Sequence, residues 1–491
     1  MLLFSVAVPY GAAAQAATHA KTQAATQVRT QTAVQDSGPL LQAHLAAARA
    51  AQSHADCHTA AQEYHAAARL LPSSGELRTN EGIALYCDRQ FPAARTTLDT
   101  ALQLNRALPV PHLFLGFMAY HAGDMNHAAR ELKIYLDSKP DDPTAHLWLG
   151  YTLAGQNNPA AARLQYQQVL EQDPHNLDAD YALGEAALSL AHAKALDIQA
   201  LDPSQAHLLQ LAGARYQMMG DAKHAEAANA EANRRLLTAA PQSPAAAQKL
   251  STLYTEAQDE QKEALEAFAA ILDQAPDSYR AHEVRGDAFV EAQQQPEAIA
   301  QYQEVIRLDP QLPGVHETLS RCMMTAGRFA DALTALQAEL ELSPASSARL
   351  QTRIGQTRLA MGDSAGAEQA LELAVRDPAV PSQAFLFLGQ LRLRQDRAAD
   401  AISLLRQYVA TEPDNSTAFY YLSRAYRALG DGPSMTQALA DYQRTSQDVR
   451  AGQLVAPVTR GTTANSFAEL TRAPSLSADS AQPTPSDPNP K

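Results

Sequence analysis

A 34-residue period runs through about four hundred residues of this chain. Proline recurs in two registers at spacings of 34 or 68 residues, at Pro72, Pro140, Pro174 and at Pro276, Pro310, Pro344. A fixed period of this length is typical of a solenoid, in which each repeat buries its faces against its neighbours. The period therefore predicts one body of stacked repeats in place of the three or four separate domains that 491 residues would otherwise suggest.

Small residues recur inside each period at two fixed positions. Glycine stands at the eighth position and alanine at the twentieth, at Gly82, Gly116, Gly150, Gly286, Gly389 and at Ala94, Ala128, Ala298. Two helices of one repeat cross at this point, and a larger side chain would force them apart. The pattern predicts an all-α chain of helix-turn-helix repeats in which these residues are structural.

The repeat at 279–312 carries Gly286, Ala298, Tyr302 and Pro310 at positions 8, 20, 24 and 32, and this pattern resembles the tetratricopeptide repeat family. The resemblance covers nearly the whole folded chain. It implies an α/α solenoid, a right-handed superhelix of about twelve repeats that start at 41, 75, 109, 143, 177, 206, 245, 279, 313, 348, 382 and 416. Proteins of that family act mainly as scaffolds or receptors for peptides and protein segments.

Changes in composition and register divide the chain into six segments. An apolar start followed by Ala14-Gln15-Ala16 is typical of a secretory signal. The repeats lose their register between 177 and 244, where we expect a bend or a boundary between two stacks. The predicted segments are a signal peptide (1–16), a flexible leader (17–40), a first repeat stack (41–205), an irregular repeat and hinge (206–244), a second repeat stack (245–449) and a disordered tail (450–491).

The charge of the chain bears on its partners. With 39 basic and 53 acidic residues, the formal net charge of -14 argues against nucleic acid, because phosphate binding needs clustered Lys and Arg. No apolar run reaches the roughly 18 residues that a membrane-spanning helix requires. We expect an exported, periplasmic protein that binds other proteins or peptides, including an envelope complex.

The resemblance also implies which side chains face the groove, because the first helix of each repeat lines it in that family. Aromatic and apolar side chains are expected in the first stack, at Leu113, Phe117, Tyr120, Tyr151 and Tyr181. Arginines suited to carboxylates are expected in the second, at Arg321, Arg349, Arg394, Arg424 and Arg427. The alternatives are that the rings fill a tightly coiled superhelix and that neighbouring acidic residues neutralise the arginines.

Cysteine and histidine give little sign of chemistry. Cys57 and Cys87 fall at the same end of adjacent helices, so a disulfide is possible, although two buried thiols would also fit. Cys322 is expected in the core. His54, Cys57, His58 and His65 match no zinc spacing, and no phosphate loop, Gly-x-Ser-x-Gly elbow or His-Glu-x-x-His motif occurs. We expect no metal, no cofactor and no enzyme activity.

The sequence thus favours a non-catalytic scaffold that binds a peptide segment along its groove. One alternative is an assembly factor for secretion, pili or exported polysaccharide. Another is a polymer-active enzyme component that uses the irregular centre, with Asp178 and Glu185 as a pair of carboxylates.

Overall fold

The computed structural model describes residues 38–218, 222–239, 243–343, 347–377 and 380–450. Within these ranges the regular secondary structure is entirely helical. The predicted signal peptide, residues 17–37 of the predicted leader and residues 451–491 of the predicted tail lie outside the described residues.

Contacts divide the described residues into two compact units. The main unit consists of residues 38–189 and 263–450, and the inserted unit consists of residues 190–262. The first helices of the chain are α1 (Pro39–Ser53), α2 (Cys57–Leu70), α3 (Gly75–Cys87), α4 (Phe91–Leu104), α5 (Pro109–His121), α6 (Met125–Ser138), α7 (Pro143–Gly155), α8 (Pro159–Gln172), α9 (Leu177–Leu201), α10 (Ala206–Met218) and α11 (Ala222–Thr238). They are followed by α12 (Pro244–Gln274), α13 (Tyr279–Glu291), α14 (Gln295–Leu308), α15 (Val315–Thr325), α16 (Phe329–Leu342), α17 (Ser347–Ala360), α18 (Ser364–Val375), α19 (Ser382–Arg394), α20 (Ala398–Thr411), α21 (Ser416–Ala428) and α22 (Gly432–Arg450).

Many of these helices begin at a polar side chain that caps the first turn. Such a residue accepts a hydrogen bond from a backbone N–H three positions later, which would otherwise lack a partner. Caps of this kind are Asp56, Ser74, Asp124, Asp142, Asn158, Ser278, Asp363 and Asn415.

Ten of the twelve predicted repeats are pairs of packed helices in the part of the chain that the structure describes. In nine pairs a residue with positive φ reverses the chain, and it occupies the fifteenth position of the repeat each time. These turn residues are Ala55, Arg89, Gly123, Asn157, Gln293, Gly327, Gly362, Asp396 and Gly430. The fold is an all-α solenoid of helix-turn-helix repeats.

The predicted repeats that start at 177 and 245 are instead single long helices. The fifteenth positions are Ala191 and Asp259, and both lie inside a helix, α9 and α12 respectively. The stretch around Ala191 is rich in Ala and Leu, which are strong helix formers. The helix therefore continues where the other repeats turn.

The main unit includes α9 up to Ser189 and α12 from Glu263 onward. These parts pack together as one composite repeat, in which the ring centres of Tyr181 and Phe268 lie 5.9 Å apart. Arg163 of the preceding repeat donates to Glu263 at 3.2 Å. The main unit thus joins residues from both predicted stacks, which differs from the predicted boundaries at 205 and 245.

Close helix crossings explain the small residues at positions 8 and 20. A Cβ atom on Gly150 would lie 2.3 Å from Tyr166, a separation that real Cβ atoms do not reach. The other glycines face a large residue in the same way, with Cβ separations of 2.6 Å for Gly82, 2.8 Å for Gly116, 2.9 Å for Gly286 and 2.9 Å for Gly389. The alanines at position 20, Ala94, Ala128 and Ala298, are fully buried.

The inserted unit contains one helix pair, α10 and α11, besides the remaining parts of α9 and α12. Gly213 of this pair packs against Asn229. Asp202 accepts hydrogen bonds from the backbone N–H of His207 at 3.0 Å and from Ser204. Across both units, none of the described helices combines the length and the apolar character needed to cross a membrane.

Candidate functional site

The candidate site lies on the first helices of consecutive repeats in the main unit. Positions 2, 5 and 9 of each first helix form what we call the first-helix face. On α9 and α13 these positions carry ionisable side chains, which we call the central cluster: Asp178, Tyr181, Glu185, Arg280, Glu283 and Asp287.

Arg280 holds the central cluster together. Its side chain is completely buried, and it donates from Nε to Asp178 Oδ1 at 2.8 Å and from Nη1 to Glu283 Oε2 at 2.6 Å. The guanidinium also lies over the ring of Tyr181, 4.6 Å from its centre. Burial opposes the charge of Arg280, but the carboxylates of Glu283 and Asp178 raise the pKa of Arg280 above its usual range.

Asp287 is fixed by two tyrosine hydroxyls. Tyr302 on α14 donates to Oδ1 at 2.6 Å, and Tyr181 on α9 donates to Oδ2 at 3.0 Å. Burial raises the pKa of Asp287, against the effect of these two hydrogen bonds. The carboxyl group of Asp287 therefore joins three helices from two successive repeats.

Glu185 differs from the other carboxyl groups of the central cluster. It is partly exposed, and among the described residues it makes no hydrogen bond and no ion pair. Burial, followed by the negative charges of Asp287 and Glu283, raises the pKa of Glu185 to about 8. Burial also raises the pKa of Glu283 to about 7, with Arg280 acting in the opposite direction.

The next two repeats present a group of arginines. Glu317 on α15 accepts hydrogen bonds from Arg349 and Arg353 on α17, the latter at 2.5 Å. Burial lowers the pKa of Arg353 to about 10, and the positive charge of Arg321 adds to this effect. Arg349 shows the same change for the same reason, with Arg353 as its charged neighbour. In the order of the repeats, this group of arginines on α15 and α17 thus follows the acidic central cluster on α9 and α13.

The predicted aromatic positions are mostly packing positions. Phe117 and Tyr151 are fully buried, Leu113 is 3% exposed and Tyr181 is 8% exposed. Phe117 lies 4.5 Å from Trp148 between ring centres, and Tyr120 lies 5.4 Å from the same ring. The alternative that these rings fill the interior accounts for their placement.

The structure separates the predicted arginines into two sets. Arg349 is paired with Glu317, as the neutralisation alternative proposed, and Arg321 lies close enough to Arg353 to lower its pKa. Arg394 and Arg427 are exposed, and Arg424 is exposed with its guanidinium 6.0 Å from the ring centre of Tyr420. These three lie on α19 and α21, in later repeats than the central cluster.

Cys57 and Cys87 form a disulfide that links α2 to α3, with their Cα atoms 5.6 Å apart. Cys322 is a buried free thiol. No group of three His, Cys, Asp or Glu side chains in the described ranges is placed to hold a metal ion. Four histidines instead tie the two helices of a repeat together, in the pairs His44–Glu63, His112–Glu131, His146–Gln165 and His282–Gln301.

Sequence reasoning missed Arg280, Glu283, Asp287, Glu317 and Arg353. The signal was present for the first four, because they stand at positions 2, 5 and 9 of the repeats at 279 and 313. A solenoid does not need charge there for its own packing.

The tetratricopeptide repeat family model matches residues 119–166, 149–202, 257–313, 352–415 and 386–447. Together with the helix pairs and their fixed turn position, these matches show that the chain belongs to the tetratricopeptide repeat family. No curated protein sequence matches the chain.

Three solved structures are similar to parts of the chain. MamA is 19% identical and covers 37% of this chain and 98% of its own, with a TM-score of 0.32. YrrB, described as a protein of this family with an unusual peptide-binding site, is 14% identical over 38% of this chain and 96% of its own, with a TM-score of 0.31. Yeast Tom70 is 15% identical over 81% of this chain and 95% of its own, with a TM-score of 0.33. At such scores no function follows from the similarity.

Proposed function

We propose that this chain is a non-catalytic scaffold whose main unit binds a peptide or protein segment along the first-helix face of its central repeats. One observation carries the proposal: partly exposed ionisable side chains from four successive first helices line this face, from Glu185 and Asp287 to Arg321 and Arg349. Crowding such groups together costs free energy unless a partner uses them. A solenoid with purely apolar packing would avoid that cost.

The arrangement favours binding over catalysis. A glycosidase that used this pair would need one carboxyl group to transfer a proton to the substrate and the other to act as base or nucleophile. Asp178 is already engaged by Arg280 and by the hydroxyl of Tyr279, which donates at 2.6 Å. This engagement weighs against the pair of Asp178 and Glu185 as catalytic carboxyl groups.

Export, a periplasmic location and a role in an envelope complex or in assembly of secretion systems, pili or exopolysaccharide are narrower proposals. They depend on the signal peptide expected at residues 1–16. Expression of the full chain with an N-terminal sequencing step would show whether residues 1–16 are removed.

Selection from a displayed library of random peptides tests the scaffold proposal. The full chain is used as bait, and the affinities of the selected peptides are measured for wild type, for Arg349→Gln on the first-helix face, and for Arg307→Gln on α14. Arg307 is an exposed arginine on a second helix and serves as the matched control. We expect Arg349→Gln to weaken binding at least tenfold and Arg307→Gln to leave it unchanged. Failure to select any peptide, or equal binding by both variants, would overturn the proposal.

A further inference from the structure

The central cluster has a more specific use, which rests on the proposed function. We propose that Asp178, Glu185, Glu283 and Asp287 form a subsite for one Lys or Arg side chain of the bound protein segment. Glu185 is the residue that contacts the cation, and the other three acidic groups supply the negative field around it.

Glu185 is surrounded by charges but has no partner of its own. Its electrostatic neighbours come from four helices: Tyr166 on α8, Tyr181 on α9, Arg280, Glu283 and Asp287 on α13, and Arg321 on α15. Among the described residues it has no hydrogen-bond donor, and it is partly open to solvent. A carboxylate in this position is available to a ligand.

The nearby Arg280 is engaged by other carboxyl groups. Arg280 directs its guanidinium to Asp178 and Glu283, and Asp287 is held by two neutral hydroxyls. Four carboxyl groups therefore share the charges of Arg280 and Arg321, so the cluster is short of positive charge when all four are ionised. Charge complementarity selects a cation as the occupant.

A buried hydroxyl supplies a second, independent observation. Tyr151 is fully buried on α7, and its hydroxyl has no hydrogen-bond partner among the described residues. It lies close enough to Asp178 and Arg280 for their charges to act on its pKa, which burial raises well above its usual value. Buried polar groups without a partner are uncommon in proteins and need a reason. The N–H groups of a bound ammonium or guanidinium would give the hydroxyl a donor.

A protonated side chain fits this subsite better than a metal ion. The described residues hold no group of three His, Cys, Asp or Glu side chains placed for a metal. A Lys or Arg side chain needs fewer oxygens and can enter along the groove as part of a chain. Arg321, Arg349 and Arg353 in the following repeats then suit an acidic residue further along the same segment.

Binding of a cation should release protons. Burial raises the pKa of Glu185 to about 8 and that of Glu283 to about 7, so near neutral pH in the free protein Glu185 is mostly protonated and Glu283 is partly protonated. A cation favours their ionised forms, so the affinity should rise with pH between about 6 and 8.5. This behaviour distinguishes the subsite from a surface carboxylate, which is fully ionised throughout that range.

The experiment compares matched peptides on matched variants of the full chain. Each library-selected peptide is synthesised with its Lys replaced by norleucine or its Arg replaced by citrulline, and affinities are measured by calorimetry in two buffers of different ionisation enthalpy. The proteins are wild type, Glu185→Gln and Glu304→Gln; Glu304 is a partly exposed carboxylate on α14 and serves as the control. Thermal melting confirms that each variant is folded.

We expect loss of the basic group to weaken binding at least tenfold on wild type and Glu304→Gln, but less than twofold on Glu185→Gln. The number of protons released on peptide binding should be at least halved in Glu185→Gln relative to wild type. Peptides that bind without any basic residue, or an equal loss on all three proteins, would overturn the subsite while leaving the scaffold proposal intact. If spermidine alone bound as tightly as the basic peptides, that would also overturn the subsite. Absence of all peptide binding would overturn the scaffold proposal itself.

Discussion

Gly184 packs directly against Phe268, although 84 residues separate them along the chain. A Cβ atom on Gly184 would lie 2.5 Å from Cε1 of the phenylalanine ring. In the other repeats the corresponding glycine meets a large residue 16 positions later, as Gly150 meets Tyr166. The additional 68 residues are two repeat lengths. The main unit therefore keeps its packing scheme across the inserted unit.

Substitution of Gly184 by Ala should destabilise the main unit at this point. Overpacking of a close contact costs about 1–3 kcal/mol, while Ala recovers about 1 kcal/mol of helix propensity. We expect a net loss of up to about 2 kcal/mol in the free energy of unfolding, measured by urea denaturation.

Removal of the ring provides the control for this prediction. The Phe268→Ala variant loses packing of its own, but adding Gly184→Ala to it should cost little, because the space for the new methyl group is then open. If Gly184→Ala costs as much in the Phe268→Ala background as in wild type, the two residues do not contact each other in solution.

The composite repeat could have been found from the sequence. The repeat at 177 has its glycine at Gly184 but the small Ala200 where a large residue belongs. The repeat at 245 has its large Phe268 but Thr252 where a small residue belongs. The first repeat thus has the small residue of the crossing without the large one, and the second has the large residue without the small one. A fixed 34-residue window hides this complementarity, because it compares positions only within one repeat.

The elements that the sequence predicted well are those set by local chemistry. The period, the small residues at crossings and most helix bounds depend on contacts within about 34 residues. The central cluster depends on contacts between residues about 100 positions apart, such as Tyr181 with Asp287 and Arg280 with Asp178. Those contacts exist only because residues 190–262 are bypassed in the main unit, so a comparison within single 34-residue windows does not predict them.

The stability of the chain should depend on the protonation of Glu185. In the folded state its pKa is about 8, above the ordinary value of 4.5, so the folded protein binds the proton more tightly than the unfolded chain does. This contribution is fully present below about pH 4.5 and is lost as the pH rises through about 8. Glu283 acts in the same direction with a pKa of about 7.

Comparison with Glu185→Gln isolates this contribution. The amide is neutral at every pH, so the variant should match wild type near pH 5 and exceed it in stability near pH 9. The measurement is the urea midpoint of both proteins across this range. A difference between the two curves that stays constant with pH would contradict the proposed ionisation of Glu185.

Loss of Arg280 should be strongly destabilising. Its guanidinium is fully buried between Asp178 and Glu283, and removing one partner of a buried ion pair leaves uncompensated charge that costs about 3–5 kcal/mol. We expect Arg280→Met to lower the melting temperature markedly at pH 8. The loss should be smaller at pH 5, where Glu283 can accept a proton. Arg307→Met, which breaks an exposed pair with Glu304, should cause no measurable change, and an equal effect of both variants would contradict this account.

Reduction of the disulfide should weaken the first repeats selectively. Cys57 and Cys87 are 30 residues apart, and closing a loop of this length restricts the unfolded chain by about 3–4 kcal/mol. Because each repeat of a solenoid contacts only its neighbours, the loss should concentrate in α1 to α3. Hydrogen exchange with and without dithiothreitol should show faster exchange of residues 39–87 on reduction, with little change in α13 to α22. The Cys57→Ser, Cys87→Ser double variant should exchange, with and without dithiothreitol, as fast as the wild-type protein does after reduction. It retains the buried thiol of Cys322, so any effect of the reductant on that residue would still appear in it. If reductant accelerates exchange equally in that variant, the effect does not come from this disulfide.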